Sequence, residues 1–272
     1  MRFQTLIFIF ILLILVPKSS FSQIYLPPVS SSITKKISVF VPNLRSAGPA
    51  NIDGKKFTDV LKDDLANAAL FDVKGGIMEA STDEDIDFDD LFQKGVDYIV
   101  TGQFQSTPSQ ITFAVRVFDV KQETPLFGRN YNVSSGNIRY AAHGFASLIM
   151  KTLTGIDGFF ESKIAFVLGS GGSRNLFMMD YDGNNVSQLT KHSSLLLSPN
   201  CSKDGAKIIF NSDKKWDQDL YVINSSTTLN DRRITKGFAL DQSPEWSPDG
   251  KRIVFARNGD IFTANEDGSG LN

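Results

Sequence analysis

The stretch Ser243–Phe255, S-P-E-W-S-P-D-G-K-R-I-V-F, limits what this chain can fold into because it occurs twice. Ser198–Phe210, S-P-N-C-S-K-D-G-A-K-I-I-F, repeats it at an offset of 45, and Lys163–Val167, K-I-A-F-V, is a partial third copy. A fixed period of this size marks a propeller, a solenoid or another array. In the unit, Ser247-Pro248-Asp249-Gly250 reads as a turn, with Pro pre-set for an early corner and Gly free to take an unusual backbone angle. Lys251 to Ala256 then alternates as a strand. The inner parts of the unit align as well: Leu176-Phe177 with Leu220-Tyr221, and Gln188-Leu189-Thr190 with Arg233-Ile234-Thr235.

From Phe159 onward, short strands are predicted over 163–168, 175–180, 186–190, 206–211, 219–224, 232–235, 252–256 and 260–264, separated by turn residues. Four strands per ~45 residues make a propeller blade. Residues 159–272 therefore read as a partial β-propeller with room for about two and a half blades. The sequence stops inside a repeat, which predicts a longer protein.

Ahead of the repeats the pattern changes. Residues 1–22 read as a signal peptide: Arg2 supplies the charge, Leu6 to Val16 is an apolar run, and Ser20-Phe21-Ser22 puts small residues at a cleavage site between Ser22 and Gln23. The run is short of the roughly 20 residues that span a bilayer. Residues 23–34, rich in Pro and Ser, read as a flexible leader or a partner-binding arm. Residues 35–158 read as an α/β domain in the order β-α-β-α-β-β-β-α, a mixed sheet with packed helices. Its first helix carries the stripe Phe57, Val60, Leu61, Leu65, Ala68, Ala69; its last, from about Arg139, carries Ala142, Phe145, Ile149 and Leu153 and stops at Gly155. The fold class is thus α+β followed by an all-β propeller.

Composition excludes some functions. Lys and Arg number 28 against 30 acids, a formal charge of −2. That balance argues against a nucleic-acid partner, which favours a basic face. Cys201 is the single cysteine, so an internal disulfide is impossible; sharing the repeat position of Trp246, it is expected to be buried packing.

Candidate chemistry is sparse. Gly169-Ser170-Gly171-Gly172-Ser173 lacks the Lys-Ser/Thr of a phosphate loop and reads as a hairpin. Asp180-Tyr181-Asp182-Gly183-Asn184 has its Gly two positions early for a calcium loop and reads as a blade turn, with calcium binding open as an alternative. Ser81 to Asp90 holds six acids, read as a solvated loop leading into a helix, with a cation site as the alternative. His143 and His192 fall in different domains; His143, in mid-helix, reads as structural. No catalytic, cofactor-binding or metal-binding residue is assigned, and no G-x-S-x-G elbow is present.

These segments together resemble the TolB family, the periplasmic components of the Tol–Pal system. The likeness rests on I-S-V-F-V-P at 37–42, D-L-A-N-A-A-L-F at 64–71, G-V-D-Y-I-V-T-G at 95–102 and V-R-V-F-D-V at 115–120. Its most specific part is A-H-G-F-A-S-L-I…L-T-G…F-F-E-S-K-I-A-F-V at 142–167, which joins the two domains. The resemblance implies a six-bladed propeller and a non-enzymatic periplasmic scaffold without cofactors. It implies binding of the peptidoglycan-associated lipoprotein Pal by the propeller and of TolA by the mature N-terminus, with other outer-membrane proteins and colicins as further partners. It also implies a role in envelope integrity and in outer-membrane constriction at division. Partner-contact residues are left unassigned. Two other readings stand beside it: the propeller of an exported prolyl-oligopeptidase-like serine peptidase, and a carbohydrate- or ligand-binding propeller.

Overall fold

A computed structural model describes residues 35–48, 53–75 and 86–272. The signal peptide, the Ser22–Gln23 cleavage point, the leader 23–34 and Asp83, Glu84 and Asp85 of the acidic run lie outside the described residues. Residues Lys36–Asn272 form one compact unit. Among the described residues no helix is long and apolar enough to cross a membrane.

The first sheet contains β1 (Ile37–Phe40), β2 (Arg45–Ser46), β3 (Phe71–Lys74), β4 (Tyr98–Ser106), β5 (Ile111–Asp119) and β6 (Thr124–Val133), with main order β3-β1-β4-β5-β6 and β2 paired to β4. β1 runs parallel to both neighbours, β3 and β4. Beyond β4 the pairing is antiparallel, because the 107–110 turn is short enough for a hairpin. Period-2 alternation in β5 buries Ile111, Phe113, Val115 and Val117 on one face. Helices α1 (Asp53–Asn67) and α3 (Ile138–Thr154) cover that face, while α2 (Phe88–Gln93) heads a smaller cluster with Leu91, Ile99 and Phe118. Phe57 of α1 stacks on Phe113 at 4.6 Å and lies 6.3 Å from Phe145 of α3.

The caps follow the expected chemistry. Asp87 Oδ1 accepts from the Asp90 amide, and Gly155 ends α3 with φ of 74°. Gly158 lets the linker lie on α3: a Cβ there would be 2.3 Å from Ser147 Cα.

The second part is three antiparallel sheets. The first is β7 (Lys163–Ser170), β8 (Ser173–Asp180) and β9 (Ser187–Gln188). The second is β10 (Leu196–Cys201), β11 (Lys207–Ser212), β12 (Asp219–Asn224) and β13 (Arg232–Arg233), and the third β14 (Asp241–Trp246), β15 (Arg252–Arg257) and β16 (Asp260–Asn265). Blades of three, four and three strands agree with the partial propeller read from the repeats.

The repeat motif has a mechanical explanation. In the third blade Ser247 Oγ donates to Asp249 Oδ1 at 2.6 Å and accepts from the Arg252 amide at 2.9 Å; Asp249 accepts from the Lys251 amide, and Gly250 takes φ of 69°. Ser202, Asp204 and Gly205 repeat these contacts in the second blade. Thr190 and Thr235 are also equivalent, each hydroxyl accepting from a strand amide, Leu176 and Leu220, at 2.9 Å.

Two expectations change. β10 and β14, which carry the S-P-x-[CW] half of the motif, are strands that the sequence pattern does not predict. Ser198 and Ser243 sit at φ of 50° and 49°, and the register shifts at each Ser-Pro. A bulge there lets Pro sit on a strand that pairs on one side only. Cys201 is exposed rather than buried, although nearby atoms desolvate its thiol and push its pKa up. The equivalent Trp246 is large enough to reach back to the preceding blade, where its amide and indole N–H donate to Asn200; a cysteine is too short for that contact.

Candidate functional site at the junction of α1, α3 and the first blade

On α1 the apolar stripe Phe57, Val60, Leu61, Leu65 is interrupted by Asp64, which falls on the same face and is 0% exposed. On α3, His143 is 3% exposed and Arg139 lies one turn earlier. The turn after β8 brings Tyr181 and Asp182 against both helices. His143 Nδ1 lies 2.7 Å from Asp64 Oδ2, and the Tyr181 hydroxyl donates to Asp64 Oδ1. Arg139 donates to Asp182 Oδ2, whose other oxygen accepts from the Asn184 amide at 3.1 Å. His143 Nε2 is 3.8 Å from Asp182 Oδ2 and has no hydrogen-bond partner among the described residues. Phe159 and Phe160 close the site, with ring centroids 5.8 and 5.6 Å from that of Tyr181, and the His143 ring meets Tyr181 edge-on at 5.6 Å.

The electrostatics suit a fixed joint. Burial, then the bond to Asp64, push the Tyr181 pKa up, so its hydroxyl stays protonated and keeps donating. For Asp182, burial works to raise the pKa, but hydrogen bonds from Asn184 and the Arg139 guanidinium outweigh it and hold the carboxyl below its usual range.

Asp64, His143 and Asp182 offer ligand atoms within 4.8 Å of one another, the geometry of a metal-binding group. Their oxygens are engaged by Tyr181, His143, Arg139 and Asn184, and the guanidinium already brings positive charge there. The arrangement is a polar cross-link between two helices and a blade. Its histidine presents almost no surface to a substrate.

Of the residues read from sequence, His143 is a hydrogen-bonded structural residue as expected, and His192 lies elsewhere, 3.1 Å from Asp231. Asp180 and Asp182 bind Lys163, Asn185, Arg139 and Asn184, the blade-turn reading. The sequence reading does not single out Asp64, and it places Tyr181 only within the Asp180–Asn184 turn. The signal was there: an acid inside an apolar helical stripe, and a Tyr where the later copies carry Ser225 and Glu266.

This architecture defines a class: an α+β sheet domain cross-linked to the first of a series of propeller blades. The TolB amino-terminal domain family matches residues 28–126, and the TolB beta propeller domain family matches residues 150–222. The chain belongs to the TolB family. It is similar to the Tol-Pal system protein TolB of Desulfotalea psychrophila, 28% identical over 252 residues, covering 90% of this chain and 56% of that one. It is 33% identical over 208 residues to the protein of the same name from Geobacter metallireducens, covering 74% and 48%. The crystal structure of TolB from Acinetobacter baumannii shares the fold, with a TM-score of 0.74 at 24% identity over 88% of this chain and 60% of that one. The chain thus spans about half the length of the curated relatives it matches.

Proposed function

We propose that the chain is an exported, non-enzymatic scaffold of a Tol–Pal-type envelope system. In this reading the blades take Pal, residues 23–34 take TolA, and the assembly supports envelope integrity and constriction at division. The observation that carries the reading is the junction: its polar side chains spend their hydrogen bonds on joining an α+β domain to propeller blades, an adaptor's architecture. The Tol-Pal names of the relatives support it.

The test is capture by the tagged 272-residue chain, produced with its own leader, from envelopes carrying the organism's Pal and TolA. Recovery of Pal is expected, with TolA lost when residues 23–34 are deleted. Recovery of neither sinks the scaffold reading. N-terminal sequencing of the exported protein should begin at Gln23; an intact Met1 in the membrane fraction would refute cleavage after Ser22.

A further inference from the structure

Asn258 is the one asparagine in this sequence that a glycine follows. The pair forms the tip of the two-residue hairpin between β15 and β16, flanked by the paired Arg257 and Asp260. Both tip residues take positive φ, 51° at Asn258 and 96° at Gly259, the I′ turn that matches the twist of the flanking strands. The left-handed region suits Gly and is tolerated by Asn at a cost in strain. The tip is exposed, and a Cβ built on Gly259 would meet nothing within 4 Å.

Hydrogen bonds are shared unevenly at this tip. The Asn258 backbone N–H donates to the Leu240 carbonyl at 3.1 Å, and the Leu240 amide donates to Asn258 Oδ1 at 3.0 Å. Asn258 Nδ2 and the Gly259 amide have no hydrogen-bond partner among the described residues. The side-chain carbonyl is therefore held and polarised by a donor, while the nitrogens on either side of it are free.

We propose that Asn258 is a self-modification site, where the Gly259 nitrogen attacks the Asn258 side chain in the folded protein and converts it to aspartate and isoaspartate. Hydroxide takes the Gly259 amide proton, and rotation about the Asn258 Cα–C bond swings the nitrogen onto Cγ. The new N–Cγ bond closes a five-membered ring and puts the negative charge on Oδ1, where the Leu240 N–H already points. A donor aimed at a developing oxyanion lowers such a barrier. The intermediate collapses as the Cγ–Nδ2 bond breaks, and ammonia departs with a proton from water, which restores hydroxide. Water then opens the ring: attack at Cγ leaves aspartate, and attack at the main-chain carbon leaves isoaspartate, whose backbone runs through Cβ and Cγ. Either product adds a negative charge between Arg257 and Asp260. Isoaspartate also lengthens the tip by one backbone carbon, which a two-residue turn cannot absorb, so both bonds to Leu240 are lost. The segment ahead of β14, which exposes Phe238 and Leu240, is then untied from the hairpin. The inference does not rest on the Tol–Pal reading.

The experiment ages the 272-residue chain at mildly alkaline pH, folded and in urea, beside Asn258→Gly, which suits the same turn but has no side-chain carbonyl. Circular dichroism confirms that the variant folds. Peptide mapping by mass spectrometry and labelling with an isoaspartyl methyltransferase locate the product, and hydrogen exchange follows the Leu240 amide. In the folded chain the label is expected at position 258 ahead of every other asparagine, and it should be lost there in Asn258→Gly. Within the deamidated fraction, separated by its added charge, the molecules that take the label should exchange the Leu240 amide faster than fresh protein. A label confined to the chain in urea would mean that the hairpin shields Asn258, and it overturns the proposal, as does labelling led by another asparagine. Labelled molecules with Leu240 still protected overturn the untying of the segment.

Discussion

Replacing Tyr181 by Phe removes one O–H donor and keeps the ring contacts with His143, Phe159 and Phe160. The lost bond reaches a fully buried carboxylate, and a hydrogen bond to a charged partner contributes roughly 1.5–3 kcal/mol. Tyr181 is only half-buried, so the lower part of that range applies, about 1.5–2 kcal/mol. At about 2–4 °C per kcal/mol for a chain of this size, the melting midpoint should fall by about 5 °C. The bond spans 117 residues of sequence and joins α1 to the first blade, so its loss should also uncouple the two parts. Two probes can see that. Far-UV circular dichroism follows α1 and α3, while the half-buried Trp246 follows the third blade; Trp216, fully exposed, adds little. In urea the two transitions should coincide for the wild type and separate for the variant. Asp64→Ala, which orphans both Tyr181 and His143, should cost about 3–5 kcal/mol. Its effect should be non-additive with Tyr181→Phe by about 1 kcal/mol or more. A Tyr181→Phe protein indistinguishable from wild type, or a strictly additive pair, would refute the cross-link.

Three further outcomes follow from the same structure. Arg257 holds the buried Asp241 through two bonds of 2.7 and 2.8 Å, so Arg257→Ala should lose about 3 kcal/mol, read mainly by Trp246; Lys, lacking the planar fork, should restore less than half. Gly158→Ala should lower the melting midpoint by the equivalent of about 1–3 kcal/mol, because its methyl would have to displace the linker from Ser147 on α3; an unchanged midpoint would mean the linker relaxes freely. The carboxyl of Asp182 has a folded pKa below its unfolded value, so its contribution is present above roughly pH 4 and disappears as pH falls through the lowered value. Asp182→Asn should flatten acid denaturation measured from pH 5 downward, and an unchanged acid limb would count against the Arg139 and Asn184 contacts.

Much of the architecture was legible because its signals are local. The helical stripe through Phe57 and Leu65, the alternation through Ile111–Val117 and the 45-residue offset each report on neighbours within one element or repeat. At the Ser-Pro pairs two local signals conflict. Ser-Pro announces a turn, yet in β10 and β14 it marks a bulge inside a strand that pairs on one side only. Thr124-Pro125 opens β6, an edge strand that tolerates a missing amide donor. Cys201 shares the repeat position of Trp246, but side-chain length decides which of them reaches the preceding blade. The junction was the least legible, since His143 and Asp64 are 79 residues apart. A buried acid on an amphipathic helix predicts that a partner exists without naming it.

The place of β1 in the sheet has a mechanical consequence. This strand stands near the start of the described chain, yet it lies inside the sheet, hydrogen-bonded along both sides to parallel neighbours. Tension applied at Lys36 along the strand would therefore load both ladders in shear, with their bonds sharing the force rather than opening one by one. A tether at the β5–β6 hairpin would instead peel an edge strand like a zipper. Optical-trap pulling should find the Lys36 attachment the stronger of the two; equal rupture forces would mean that the sheet gives way somewhere other than β1.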